Sequence, residues 1–298
     1  MSRRVLLVGG SGFLGSRVAA RLAARGVSVL VPTRRRERAK HLILLPTVEV
    51  VEADIHDDAT LARLCAGQHG VVNLVGILKG GNGRPFGTGF AHAHVELPGR
   101  LGRIARSAGV ARLVHVSALK ADNDAPSGYL RSKAAGEVRL RGAFPGATVL
   151  RPSVIFGEGD SFLNLFADLL KLAPMVPLAA ADARFQPVFV GNVADAVAEA
   201  LVRPEAVGRN YDLCGPHVYT LRQLVAYVGE VTRRRRPIVG LPAWLGGMQA
   251  LAMELVGGPM TRDNLASMQV PSVCSAGCAL PFGLTPAALE TIAPRYLC

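Results

Sequence analysis

Aromatic side chains are scarce in this sequence, 5% of 298 residues with a single tryptophan, which removes the stacking platforms that hold single-stranded nucleic acid. No nucleic-acid recognition module is visible either. The surplus of 34 Lys and Arg over 22 Asp and Glu, a net +12, therefore points to other anions: nucleotide phosphates or acidic lipid headgroups. Cysteine is sparse and odd in number, at positions 65, 214, 274, 278 and 298. That excludes a disulfide-dense secreted scaffold, and with no secretory leader ahead of the first strand a reducing cytoplasm is the expected setting. Cys274 and Cys278 lack a second Cys or His pair, so no metal site is expected. Half of the residues are apolar, yet the uncharged run Pro237 to Met253 is too short for a bilayer span and is broken by Gly240, Pro242, Gly246 and Gly247. There is no internal repeat and no low-complexity tail.

What the chain does have is a regular alternation of apolar strand and helix. Arg4 to Val8 reads as a buried strand running through Gly9-Gly10-Ser11-Gly12-Phe13-Leu14-Gly15 into a helix that reaches about Arg25, apolar at 14, 18, 19 and 22. Gly9 permits the sharp turn, Gly12 lets the backbone approach a pyrophosphate, and Gly15 lets helix pack on strand. The free N–H groups and positive dipole end of that helix point at the phosphates, which makes Gly9, Ser11, Gly12, Phe13, Leu14 and Gly15 candidate dinucleotide ligands. Further strands follow at 28–31, 48–52, 71–75, 113–117 and 148–150, with helices between them. The pattern predicts an α/β fold with a doubly wound parallel sheet, a Rossmann domain over 1–155. Beyond 155 the alternation breaks down, and 156–298 is expected to form a smaller C-terminal α/β lobe for a substrate or partner, with some segments returning to the Rossmann core.

Side chains at the strand ends carry the chemistry. After strand two, where an acid would bind the ribose of NAD, stand Arg34, Arg35 and Arg36, which can pair with a 2′-phosphate. NADP(H) is therefore favoured, and Glu37 close by keeps NAD(H) open. Asp54 can accept from an adenine amino group with Ile55 beside the ring; the alternative is a turn or capping role. The glycine-rich stretch 79–91 is expected to be a mobile loop beside the site. Tyr129 and Lys133 are four apart on one helix, so the ammonium is expected to sit near the phenol, favour phenolate and lower its pKa from about 10. Such a phenol can exchange a proton with a substrate alcohol while hydride moves, and Ser117 at the tip of strand five can hold the substrate oxygen.

Residues 233–256 open with Arg233-Arg234-Arg235-Arg236 and continue as the interrupted apolar run. Two readings are open: a segment that meets an anionic membrane surface or a membrane-bound partner, or a buried lobe helix behind a solvated basic turn.

In these residues the chain resembles the extended short-chain dehydrogenase/reductase superfamily. It is most similar to the atypical branch related to the nucleotide-binding accessory subunit of respiratory complex I, often labelled NAD-dependent epimerase/dehydratase. The segments that carry the resemblance are the glycine turn, Asn73-Leu74-Val75-Gly76, His115-Val116-Ser117-Ala118-Leu119, Tyr129-Leu130-Arg131-Ser132-Lys133 and Leu150 to Gly157, with Phe185 to Val190 and Thr261 to Leu265 pointing to the narrower branch. The resemblance implies a bound NAD(P)(H), with Leu74, Val75, Gly76, Pro152 and Ser153 added to the cofactor contacts and Ser117, Tyr129 and Lys133 as the catalytic set. It also implies a setting near quinone-linked respiratory metabolism, in the cytoplasm or peripheral on the cytoplasmic face of the inner membrane. One position departs: where catalytic members carry an Asn that supports a water relay to the lysine, this chain has His94. That departure counts toward a structural or redox-sensing nucleotide; the alternative is an active oxidoreductase or epimerase/dehydratase on a nucleotide sugar or other carbonyl compound.

Overall fold

The computed structural model describes residues 3–255, 258, 260–275 and 278–297. Strands β1 Arg4–Val8, β2 Ser28–Thr33, β3 Val48–Glu52, β4 Gly70–Asn73, β5 Arg112–Val116 and β6 Thr148–Pro152 alternate with helices α1 Phe13–Ala24, α2 Asp58–Cys65, α3 Thr88–Phe90, α4 Leu97–Ser107 and α5 Gly128–Ala143. The second half adds β7 Ile155–Phe156, α6 Leu163–Leu172, β8 Val176–Leu178, β9 Arg184–Phe185, β10 Val188–Phe189 and α7 Val190–Ala200. It continues through β11 Asn210–Leu213, β12 Tyr219–Thr220, α8 Leu221–Val231, β13 Ile238–Gly240, α9 Ala243–Leu255 and α10 Arg262–Ser267.

Seven strands make one parallel sheet in the order β11-β6-β5-β4-β1-β2-β3. The chain runs outward one way from β1 through β2 to β3, then crosses to β4 and runs the other way. Ligand crevices form at such a reversal, beyond the carboxyl ends of β1 and β4. A parallel strand covered on both faces must be apolar throughout, and Val5 to Val8 are all buried. Leu7 faces Val18 and Leu22 of α1 with Val193 and Val197 of α7; Leu6 and Val8 face Leu101 of α4 and Leu140 of α5. Thus α7 and β11 come back from the second half of the chain to complete the sheet and cover it. The remaining lobe has its own core, built from Phe156, Leu163, Phe166, Leu170, Phe185, Leu221, Leu224 and Val228.

Caps set where the helices start. Asp57 accepts from the Thr60 N–H at 2.7 Å, Ser127 accepts from Leu130 N–H, and Thr220 with Gln223 closes a capping box on α8.

Three expectations change. The stretch 79–91 is held rather than loose: Lys79 Nζ donates to the Gly258 carbonyl, Asn82 to Glu254, and Arg131 to the Pro85 carbonyl, and it passes into α3. The cysteines, dispersed in sequence, are not all separate in space, since Cys214 and Cys274 form a disulfide across 60 residues. And α9 is not a buried lobe helix, because only Gly246 and Ala250 of it are buried. None of the described helices is long and apolar enough to cross a membrane.

Candidate functional site

The glycine turn and the end of β4 meet at the sheet reversal. Gly9 takes a φ of +84°, and a Cβ there would lie 3.2 Å from both the Leu74 carbonyl carbon and the Val75 nitrogen. A Cβ at Gly15 would collide with the Gly9 carbonyl oxygen and lie 2.6 Å from the backbone of Gly10, so α1 approaches β1 more closely than any other residue type allows. The α1 N-cap is Gly12, with no side chain to occupy the first amides. That cradle of bare backbone fits a pyrophosphate, and Gly9, Ser11, Gly12, Phe13, Leu14 and Gly15 would hold it. At the far end, Arg34 and Arg35 are exposed directly after β2, where they would meet the ribose, and exposed Asp54 caps the His56 N–H with one carboxylate oxygen at 2.9 Å.

At the end of β5, α5 brings Lys133, with Tyr129 one turn before it, against Val116, the neighbour of Ser117. Ser117 is buried, its N–H bound to the Leu150 carbonyl, and its hydroxyl has no partner among the described residues. A buried hydroxyl without a partner suits a ligand oxygen. Lys133 is buried, its Nζ 3.4 Å from the Val116 carbonyl, 6.0 Å from the centre of the Tyr129 ring, and against Gly76. Burial pushes this lysine down to about 8, with Glu137 opposing. Tyr129 does not behave as expected. Its ring stands edge-on to Phe90 and His94, at 6.1 and 5.5 Å, and burial pushes its phenol up to about 12. Burial thus moves the phenol away from phenolate, opposite to the direction expected from Lys133.

His94 sits in a π-helical turn, Ala91–Glu96, between α3 and α4. Its Nε2 accepts from the Ile77 N–H at 3.0 Å, which puts the ring proton on Nδ1, 2.9 Å from the Ser132 hydroxyl; that hydroxyl donates to the Tyr129 carbonyl at 2.7 Å. Burial, followed by the charges of Lys133 and His115, drives His94 down to about 2. It is a neutral brace between the β4 loop and α5. His115 is neutral and buried as well: Asn73 accepts from the Val75 N–H through Oδ1 and so donates through Nδ2 to His115 Nδ1 at 3.2 Å.

Pro152 ends β6 at the same edge, but Ser153 has little left to offer a nucleotide. Its N–H donates to the Leu213 carbonyl and its hydroxyl to the Ser272 carbonyl at 2.9 Å. Other residues carry roles that the sequence did not assign to them. Asp263 of α10 accepts from the Gly128 and Tyr129 N–H groups at 2.6 and 3.0 Å and so seats the first turn of α5. The capping pattern Thr261-x-x-Asn264 marks that helix, yet not its target. Gln186 binds the Gly215 carbonyl at 2.7 Å and the Cys274 N–H at 3.0 Å.

Comparison with known proteins agrees with this geometry. The model of the NAD dependent epimerase/dehydratase family matches residues 5–214. Over 254 residues, 82% of its length, the chain is 34% identical to the mouse protein named NADH dehydrogenase [ubiquinone] 1 alpha subcomplex subunit 9, mitochondrial. It spans 66% of that relative. Among solved structures, the NADPH-dependent quinone oxidoreductase QOR2 of Escherichia coli, in complex with NADPH, superposes with a TM-score of 0.69 at 22% identity, covering 89% of this chain and 86% of that one. The UDP-glucuronic acid 4-epimerase of Bacillus cereus, in complex with UDP-glucuronic acid and NAD, gives 0.69 at 14% identity, covering 90% and 98%.

Proposed function

This chain belongs to the NAD dependent epimerase/dehydratase family, and from that premise we propose that it keeps a nicotinamide dinucleotide as a structural or redox-sensing group at a quinone-linked respiratory assembly. His94 carries this reading. Both of its ring nitrogens are committed, to Ile77 and to Ser132, so the relay position has no free atom with which to pass a proton toward Lys133. When bound, the dinucleotide supplies hydride chemistry; the residues of this chain grip it, exclude water from it and hold Tyr129 as phenol.

Within that reading the nucleotide is NADP(H). Arg34 and Arg35 are exposed directly after β2, where the sequence has no acid before Glu37, which suits a 2′-phosphate. The purified protein is expected to retain a nucleotide identifiable by extraction, and to be stabilised more by NADPH than by NADH. Replacing Arg34 and Arg35 by Ala should weaken NADPH about tenfold to a hundredfold and leave NADH unchanged. Equal melting shifts with the two nucleotides in the unaltered protein would remove the NADP(H) assignment.

The partner surface is α9. Trp244, Met248, Leu251 and Leu255 repeat along one side of the helix and are 65%, 62%, 40% and 79% exposed. The exposed tract Arg233 to Arg236 precedes it through β13, and β13 pairs with β8, beside which Leu172 and Met175 are also exposed. Val256, the last residue of the stretch, lies outside the described residues. An apolar helix face beside clustered guanidinium groups suits the surface of an anionic bilayer. The protein should co-sediment with anionic liposomes at low salt, less at high salt, and hardly at all with neutral ones. A variant with Arg233 to Arg236 as Gln should lose this binding; equal sedimentation of the two proteins leaves the tract a solvated turn.

A further inference from the structure

The one disulfide among the described residues lies at the Ser117 end of the crevice. Cys214 follows β11 directly, Cys274 lies seven residues past α10, and both are buried against Leu119, two residues beyond Ser117. Polar contacts converge on the same place. Ser272 takes hydrogen bonds from Ser153 and from the Gln186 N–H, and Gln186 in turn holds the Cys274 N–H. The start of this segment is anchored too, by the Asp263 carboxylate at the N–H groups of Gly128 and Tyr129. Residues 261–274 therefore form a strap. It is fastened at one end to the helix of Tyr129 and Lys133 and at the other to the ends of β6 and β11.

Each hydrogen bond at the second fastening contributes little net energy, because water offers the same groups a partner once the strap lifts. The disulfide has no such substitute. In a reducing compartment a disulfide of this kind is characteristically a redox sensor rather than a permanent staple. We propose that Cys214 and Cys274 form a redox-sensitive clasp that sets how long the dinucleotide stays bound. The inference rests on the dinucleotide reading and adds a control to it. Opening requires a dithiol reductant. One of its thiolates attacks a cysteine sulfur, breaks the Cys214–Cys274 bond and forms a mixed disulfide; its second thiolate then displaces the remaining cysteine. Two electrons pass to the protein, two protons end on Cys214 and Cys274, and the reductant leaves as a disulfide. Both cysteines are less than a tenth exposed, so the reductant reaches them when the hydrogen bonds around Ser272 and Gln186 break locally while the disulfide itself is still closed. Bound nucleotide that favours the closed strap makes reduction less favourable by the same factor, by the reciprocity of linked equilibria.

The test uses the whole chain, loaded in turn with NADPH and NADH, and follows nucleotide release by nicotinamide fluorescence before and after treatment with dithiothreitol. Peptide-level alkylation reports the state of each cysteine, with the exposed Cys278 thiol as the internal standard. Release is expected to be about tenfold faster after reduction, since loss of a tie acts mostly on the off-rate. The variant Cys214→Ser with Cys274→Ser should release fast with or without the dithiol. Equal release rates with alkylation proving the bond open overturn the clasp, as does a bond that no dithiol opens in the folded protein, or labelling of Cys214 and Cys274 without reductant. Should the double variant fail to fold, the comparison of oxidised and reduced wild type decides alone. Absence of nucleotide binding in every state overturns the dinucleotide reading itself, and the clasp with it.

Discussion

Gly15→Ala should abolish dinucleotide binding and destabilise the protein together. The added methyl meets the Gly9 carbonyl and the Gly10 backbone, 2.6 Å away, and neither can swing aside as a side chain would. Only a shift of α1 away from β1 makes room, and it breaks the packing of Val18 and Leu22 on Leu7. Overpacking of this kind costs about 1–3 kcal/mol, and the same shift pulls the first amides of α1 off the phosphates, weakening the nucleotide about 100-fold or more. Gly12→Ala is the control. Its Cβ would come no nearer than 3.4 Å to the Gly9 carbonyl oxygen, an ordinary contact, so melting should hardly change while nucleotide binding falls. Unaltered melting of Gly15→Ala would show that helix and strand are not in the contact described.

The second large effect is expected at Glu137. Its two carboxylate oxygens share the single Arg151 Nε–H, at 3.0 and 3.2 Å, and one of them also accepts from Nη2, with the two side chains only 5% and 28% exposed. These bonds raise the Arg151 pKa. Glu137→Ala leaves a guanidinium largely out of water, with only the weaker fields of Asp212 and Asp122 to offset its charge. Breaking a buried pair from one side costs about 3–5 kcal/mol, and the partial exposure of Arg151 places this case near the lower end, about 3 kcal/mol. Replacing both residues by Met should recover most of the loss, because the desolvation cost of both charges disappears too. Urea unfolding of the three variants measures this. A double variant no more stable than Glu137→Ala would mean that packing, not charge, is what Glu137 supplies.

The first six strands were legible in the sequence because parallel strands buried on both faces read as short apolar runs closed by turn residues, as in Val5 to Val8 before Gly9. The candidate site was legible to the same depth: the glycine turn, Ser117, Tyr129 and Lys133 stand at strand ends and on the first turns of a helix, where spacing alone places them. β11 was not legible. Asn210-Tyr211-Asp212-Leu213 is short and polar, and only its pairing with β6 makes it a strand. The direction of the Tyr129 shift was not legible because i,i+4 spacing gives the neighbour but not the burial of the ring, against which Phe90 and His94 also pack. The Cys214–Cys274 bond and the grip of Asp263 on α5 join segments 60 and 135 residues apart, and no local pattern contains such pairs.

The placement of Trp244 on the open face of α9 has an optical consequence. It is the chain's sole tryptophan, so the protein's indole emission originates at one point, on the surface assigned to the bilayer. Its wavelength tracks the polarity around α9 with no second indole to separate, so occupation of that face can be followed in solution by light, on the unlabelled chain.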